Sequence, residues 1–499
     1  MPSDPAEVRR LHPTSFLFLI LRELRQWLLP LAGAVLFTGV SSWLMVGAAM
    51  AIGMGAVGAL FRYATYRYRF AGEELVVRRG VVFRSERHIP YGRIQNVNLI
   101  RNPLHRALDV AEVHLETAGG ARPEAILRVL GMAAVDELRA RVFRGREAGA
   151  GEGAAAGADA GGRVLVDLPG REVALFGLIS NKGMVVVAAA FGAVWQFGLE
   201  DRIESVVAYA REHASDLRFP MLGPATAFVL GVLGLVAALV ALRVLSALWG
   251  LVKFWRFRLT RRGEDLRAEY GLLTRVTATV PRGRIQLLNT RRHWLHCVLG
   301  RVAVAAETAG SVPGEERGSA VAAHVWLAPV LRDEQLPGLL AELLPEAALE
   351  PPEWRPLSPR AGRRLARRGI VLAALATAAA IPVARFGAIA VAAAGASVAL
   401  LHARWFPRHA AFALTSEAVL WKSGWWVRRA SIVRYSKIQA VTLGESPFDR
   451  RSRMARIAVD TAGAGKAGHR VHIPYLDREV ADALFARLAA EAGRREFRW

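Results

Sequence analysis

One short pattern, Pro90-Tyr-Gly-Arg93-Ile94-Gln95, returns as Pro281-Arg-Gly-Arg284-Ile285-Gln286. It returns again, with substitutions, as Arg434-Tyr-Ser-Lys437-Ile438-Gln439. Each copy is followed by a second signature: Glu116-Thr117-Ala118-Gly119, Glu307-Thr308-Ala309-Gly310 and Asp460-Thr461-Ala462-Gly463. The separation is 22 residues each time, from Gln95 to Thr117, Gln286 to Thr308 and Gln439 to Thr461. Three gapless matches at two separated motifs mark one module used three times, so the fold has to be read repeat by repeat.

The remaining sequence alternates apolar stretches with strand-like ones. At 499 residues the length suits about three domains. The chain is 53% hydrophobic with a mean hydropathy of +0.24, yet 22% charged, as expected of membrane spans between soluble parts. A formal net charge of +23 favours an anionic partner, and beside apolar segments we favour lipid headgroups over nucleic acid. Cys297 is the single cysteine, which excludes an intrachain disulfide and a cysteine zinc cluster. The first apolar run, Phe16–Leu21, is short, ends at Arg22 and has no small-residue cleavage site after it. No signal peptide is therefore expected.

Residues 1–27 read as an amphipathic cytoplasmic lead-in lying in the headgroup plane. Residues 28–61 carry no charge and have basic residues on both flanks, which predicts a hairpin returning to the cytoplasm. From Tyr66 the period becomes two, so 62–146 reads as antiparallel strands closed by a helix over Ala125–Phe143. The Gly/Ala-rich stretch 147–163 is a flexible linker. Residues 173–246 hold two more membrane segments around an outer loop, 199–219, which carries Glu200, Asp201, Glu204, Glu212 and Asp216 against Arg202, Arg211 and Arg218. The second strand domain is 250–346, closed by a helix over Leu327–Leu344. A Pro- and Arg-rich juncture (347–368), a third hairpin (369–401) and a third strand domain (404–492, closing helix Tyr475–Ala489) follow.

An apolar hairpin, strands, a strand ending in basic-Ile-Gln, a short helix near Pro103-Leu-His-Arg-Ala-Leu108, a strand into Thr-Ala-Gly and a last helix together resemble the bacterial PH-like domain of membrane-anchored proteins. The whole chain resembles the type with three such domains. The resemblance implies an α+β membrane protein: six transmembrane helices as three hairpins, plus three pleckstrin-homology-like β-barrel domains, each capped by a C-terminal helix. It places the chain in the bacterial inner membrane, multi-pass, with both termini cytoplasmic. It implies a fold more than an activity.

In Arg93-Ile94-Gln95 the side chains alternate across a strand. Arg93, Gln95, Arg284, Gln286, Lys437 and Gln439 are therefore candidates for contacting a ligand or partner, since arginine suits bidentate anion contacts. The competing reading is structural, with glutamine satisfying buried backbone groups. Arg360, Arg363, Arg364, Arg367 and Arg368 form the densest basic cluster and read as a membrane-surface anchor. Arg385 lies at apparent membrane depth, where a charge marks function by default. His293 and His296 sit three apart, but no carboxylate is near and His296 aligns with His105. They belong to the ordinary inter-strand helix. Templates for serine, metal and P-loop catalysis are missing from the sequence, and no cofactor or metal is expected. The leading expectation is a non-enzymatic scaffold that binds lipid headgroups, other membrane proteins or itself. Alternatives are a transport or lipid-handling protein and an envelope-stress sensor.

Overall fold

The computed structural model describes residues 42–80, 85–91, 94–117, 125–149, 162–180, 224–308, 324–345, 353–384, 387–461 and 471–494, with isolated positions at 9–18 and near 205. The first repeat runs β1 (Arg9–Arg10), α1 (Ser42–Thr65), β2 (Arg67–Ala71), β3 (Glu74–Arg79), β4 (Ser85–Pro90), β5 (Ile94–Arg101), α2 (Pro103–Ala107), β6 (Val110–Thr117), β7 (Ala125–Gly131) and α3 (Met132–Gly149). The second runs β8 (Arg163–Asp167), α4 (Gly170–Ile179), α5 (Pro224–Phe254), β9 (Arg258–Arg262), β10 (Asp265–Tyr270), β11 (Arg275–Pro281), β12 (Ile285–His293), α6 (Trp294–Val298), β13 (Arg301–Thr308), β14 (His324–Arg332) and α7 (Leu336–Leu343). The third runs β15 (Arg355–Pro356), α8 (Ala361–Ala384), α9 (Gly387–His409), β16 (Ala411–Leu414), β17 (Ala418–Ser423), β18 (Val427–Arg434), β19 (Ile438–Gly444), α10 (Pro447–Arg451), β20 (Met454–Thr461), β21 (Val471–Asp477) and α11 (Arg478–Arg494).

Each repeat contributes a four-strand half and a three-strand half, but the halves do not stay separate. The strand order β7-β6-β5-β11-β10-β9-β8 joins the last three strands of repeat 1 to the first four of repeat 2. The order β14-β13-β12-β18-β17-β16-β15 does the same for repeats 2 and 3. Only the outer halves stand alone, as a four-stranded sheet β1-β2-β3-β4 and a three-stranded sheet β19-β20-β21. A chain turn carries each repeat from one sheet into the next. The residue after each motif's first position donates its N–H to a turn carbonyl: Tyr91 to Glu73, Arg282 to Glu264 and Tyr435 to Glu417, at 2.9, 2.8 and 3.0 Å.

The lead strands change the expected boundaries. β1, β8 and β15 precede the apolar helices and pair with β2, β9 and β16, which follow them. The hairpin is thus an insertion between the first two strands of the domain rather than a segment in front of it. Arg9 and Arg10, expected in an amphipathic helix, belong to a sheet, with Arg9 ion-paired to Glu137 of α3.

Two expected helices begin later than their apolar spacing suggests. Residues 125–131 and 324–332 are strands, and the closing helices start only at Met132 and, after a 3-10 turn, at Leu336. Register shifts between Ala111 and Val113 and between Val302 and Val304 break the two-residue alternation of these strand pairs. A bulge makes a buried strand imitate helical spacing. The third closing helix starts at Arg478, not Tyr475. Val129 and Tyr475 hold φ of 64° and 56°, uncommon for a β-branched or a bulky residue.

Among the described residues, two helical stretches are long and apolar enough to cross a membrane, Val229–Phe254 and Gly387–His409. This is fewer than the six spans expected. The first legs near 28–41 and 181–204, the acidic loop 199–219 and Arg385 fall largely or wholly outside the described residues. The exposed face of α5 carries Leu233, Leu235, Leu239 and Val240, a pattern that suits lipid rather than water. At 31 residues α5 is about 46 Å long, and a bilayer's hydrocarbon core is roughly 30 Å. The surplus enters the domain. Phe254 is buried against Phe176, Tyr270 and Trp326 at ring separations of 5.1, 5.3 and 5.9 Å.

α4 crosses α5 through two glycines. A Cβ on Gly177 would stand 2.5 Å from Ala247 Cα and Ser246 O, and one on Gly250 would stand 2.8 Å from Gly177 Cα. In α8–α9 the same role falls to Gly369 against Ala399 and Gly395 against Ala373. Gly177→Ala should therefore lower stability by about 1–3 kcal/mol through overpacking against backbone that cannot yield. Gly231→Ala, with open space around its Cβ, should be neutral or mildly stabilising. Thermal unfolding of the two variants in detergent should show opposite signs; equal shifts would contradict the crossing.

Candidate functional site

The repeated motifs face one another. Ile94 lies opposite Thr117, Ile285 opposite Thr308 and Ile438 opposite Thr461, and a register shift follows each isoleucine. The glutamine is the extra residue of that bulge. Its fixed distance from the threonine is therefore the length of one bulged hairpin through α2, α6 or α10, and a single insertion would slip the register. Gln286 is 2% exposed and donates through Nε2 to the carbonyl of Arg284 at 3.3 Å, with Oε1 buried and lacking a hydrogen-bond partner. Lys437 is 3% exposed, and Arg284 is half-buried, whereas Gln439 is exposed. The copies thus sit in different environments. Arg93 lies outside the described residues, as does the side chain of Gln95.

The substitution of Arg434 for the motif proline ties two repeats together. Its Nη2 donates to the carbonyls of Arg282, Gly283 and Ile285 at 3.2, 3.4 and 3.0 Å. The adjoining strands add Ser431 Oγ donating to Asn289 Oδ1 at 2.7 Å, and Asn289 Nδ2 donating to Glu307 Oε1 at 2.6 Å. At the first junction Thr279 N donates to Asn98 Oδ1 at 3.3 Å. No sequence rule flagged these asparagines, because each acts on a neighbouring repeat.

A second constellation lies where the apolar helices leave the domains. The β10–β11 turn carries exposed Leu272 and Leu273, and Leu272 N donates to Val252 O of α5 at 3.0 Å. The short helix of the preceding repeat rests on this turn: Arg106 Nη1 donates to Leu272 O at 3.4 Å and Thr274 Oγ1 to Asn102 Oδ1 at 2.9 Å. The next junction repeats the arrangement with larger residues. Trp425 and Trp426 form the β17–β18 turn, and Trp425 Nε1 donates to His402 Nδ1 of α9 at 3.3 Å. Trp426 meets Trp294 of α6 at 6.1 Å, and Trp425 meets Trp405 of α9 at 5.8 Å. Trp426 is 53% exposed and Trp294 42%. Exposed tryptophans beside the end of an apolar helix are the composition of a membrane–water interface.

The five-arginine cluster occupies this rim too, on the first turns of α8 and just before it. Arg364 Nε donates to Asp449 Oδ1 at 3.3 Å and lies 5.0 Å over the Phe448 ring, while Arg360 Nη1 donates to Ser452 O at 3.3 Å. Burial alone would raise the Asp449 carboxyl. Hydrogen bonds from Ser446 and Arg364 outweigh it and hold the group below its usual range. Two of the five arginines therefore clamp α8 to α10, and Arg363, Arg367 and Arg368 remain exposed. In repeat 2, Arg301 clamps α4 by donating Nε and Nη2 to the Glu172 carboxylate, both at 3.0 Å.

A cleft of about 840 Å³ between β8 and α7 is lined by Arg163, Arg261 and Arg282. Glu342 pairs with the first two at 2.5 and 2.8 Å, and Glu264 pairs with Arg282 at 3.0 Å. The cleft supplies its own counter-charges and is a poor anion site. Among the described residues no group of three His, Cys, Asp or Glu could hold a metal. His296 instead caps α6, its Nδ1 accepting from His293 N at 3.2 Å. Asp449 accepts from Ser446 N in the same way at 3.1 Å, so the pair of histidines is a helix cap.

Three serial PH-like repeats with a helical insertion in each define a class, and the family comparison agrees. The Bacterial PH domain model matches residues 18–146, 221–337 and 370–492, and the chain belongs to that family. It is similar over 96% of its length to the UPF0699 transmembrane protein YdbT of Bacillus subtilis (strain 168), at 21% identity and covering 97% of that protein. No solved structure matches the chain.

Burial, with the nearby His293 and Arg291, pushes the His296 imidazole down to about 4, against 6.5 when unfolded. The unfolded chain then binds more protons between these values, so stability falls as pH drops from about 6.5 toward 4. The loss is at most about 3 kcal/mol. His296→Asp, which installs the cap of the third repeat, should flatten the stability profile between pH 6.5 and 4.5. An unchanged acid slope in chemical denaturation would remove His296 as its source.

Proposed function

We propose that this protein is a non-catalytic scaffold of the bacterial inner membrane, multi-pass, with its PH-like domains fused into one platform on the cytoplasmic face. The observation that carries the reading is the rim formed where each short inter-strand helix meets the next repeat's β-turn. It places Leu272, Leu273, Trp294, Trp425 and Trp426 beside the ends of α5 and α9. With Arg363, Arg367 and Arg368 on the first turns of α8, this rim suits contact with anionic headgroups at roughly 1 kcal/mol per basic residue. Three hairpins, and so six spans, fit the three repeats. The close approach of glycine to alanine in α8–α9 supports a packed anchor over a conducting path between those helices.

Full-length protein reconstituted in vesicles containing brominated lipid tests the rim. Quenching of tryptophan fluorescence should fall measurably in Trp426→Phe and Trp294→Phe, and not in Trp354→Phe, whose ring lies under Lys422 at 3.9 Å. Neutral and anionic vesicles should differ for wild type, and the difference should shrink in Arg363→Gln/Arg367→Gln/Arg368→Gln. Equal quenching in all tryptophan variants would place the rim away from the bilayer and remove the basis of the reading.

A further inference from the structure

The two junctions between repeats use one register. Leu99 of β5 lies opposite Thr277 of β11, and Thr290 of β12 lies opposite Ala430 of β18. In both, the fifth residue after the motif isoleucine faces the fourth residue before the motif's first position. The same rule applied to the two remaining half-domains pairs Leu443 of β19 with Glu86 of β4, and Val441 with His88. Among the described residues those strands are the outermost of their sheets.

Their surfaces match an uncovered junction. Gln286, Leu287 and Leu288 of β12 are buried, but Gln439 and Ala440 of β19 are exposed. Thr277 and Ala278 of β11 are buried, but their counterparts Glu86 and Arg87 of β4 are exposed. β19 reads Ile-Gln-Ala-Val-Thr-Leu-Gly, with no charge and no proline. Natural sheets blunt free edges with such residues, and β19 lacks them; β4 does carry Glu86, Arg87 and His88, as the paired internal strand β18 carries Arg428 and Arg429. Within one chain the two edges belong to separate sheets and are not paired with each other.

We propose that the outer edge of β19 pairs, antiparallel and in the register of the internal junctions, with the outer edge of β4 of a second copy of this chain. The contact is heterologous, head to tail, and so builds a ring or a row in the membrane plane. Continuity with the two internal junctions identifies the occupant: each already joins one repeat's three-strand half to another repeat's four-strand half. The proposal is independent of the lipid contact argued above.

Cysteine pairing tests it in full-length protein in native membranes, on a Cys297→Ser background. Two differently tagged chains are co-expressed, one with Val441→Cys and one with His88→Cys, and mildly oxidised. We expect a reducible product at twice the chain mass that carries both tags. It should exceed the out-of-register pair Val441→Cys with Ser85→Cys by about tenfold, since only in-register Cβ atoms come close enough to bridge. Leu288→Cys/Ile432→Cys in a single chain is the matched control, at the equivalent internal pair. It is read by whether the two fragments stay linked after cleavage at a protease site placed in 346–352. Should that geometry disfavour a disulfide, the next pair, Thr442→Cys with Arg87→Cys, and its control Asn289→Cys/Ser431→Cys replace them. A positive control with no two-tag product overturns the proposal. So does crosslinking of β19 to a different protein in place of its own copy.

Discussion

The structure depends on the requirement that strand backbones find partners. A PH-like repeat here is cut between its fourth and fifth strands, and each cut edge would expose a row of N–H and C=O groups. The chain closes these edges by lending them to its neighbours, so β5 is completed by β11 and β12 by β18. The consequence is mechanical. Three domains that could have hung from flexible linkers are joined by hydrogen-bonded sheets, and Arg434, Asn289 and Ser431 lock the second joint with side chains. Leu287 of the second repeat even belongs to the core of the third.

The same logic governs the membrane insertions. Because β8 precedes and β9 follows the apolar helices, sheet pairing holds both ends of that insertion. Its helices are pinned again where they meet the domain, through Glu172 with Arg301 and the aromatic contacts of Phe254, as Arg364 with Asp449 pins the insertion of the third repeat. An anchor held at both ends, with crossings too close for a Cβ, transmits tilt to the sheet instead of absorbing it. That is the property a surface platform needs, and a tether would lack it.

Much of this was legible in the sequence, for physical reasons that can be named. The spacing of 22 residues survived because it measures a hairpin whose motif residues are directly paired. The two helical stretches apolar enough to cross a membrane were legible from their long apolar runs, although α5 runs to Phe254, beyond the segment expected to end at 246. Two of the three lead strands were not legible because Arg9–Arg10 and Arg355–Pro356 are two residues each and take their conformation from distant partners, and the third, Arg163–Asp167, begins at the end of the Gly/Ala-rich linker. Residues 125–131 were misread as helix because a bulge displaced the alternation. Of the candidate contact residues, Gln286 turned out to serve its own backbone. Arg434, the clearest departure from the motif, turned out to be the residue that reaches the preceding repeat. Side chains that act between repeats look like noise when the repeats are compared one against another.

The rim and the sheet edges are built from different groups, turn side chains in one and strand backbone in the other, and the two proposals rest on them separately. The rim turns, with Leu272 or Trp426 at their tips, sit beside the apolar helices and repeat from one junction to the next. On the proposed reading they are the line along which the chain meets lipid. The edges β4 and β19 belong to the two sheets that are not shared between repeats. Repetition of one module thus supplies both proposed contacts from the same hairpins, turn side chains for lipid and strand backbone for a second copy.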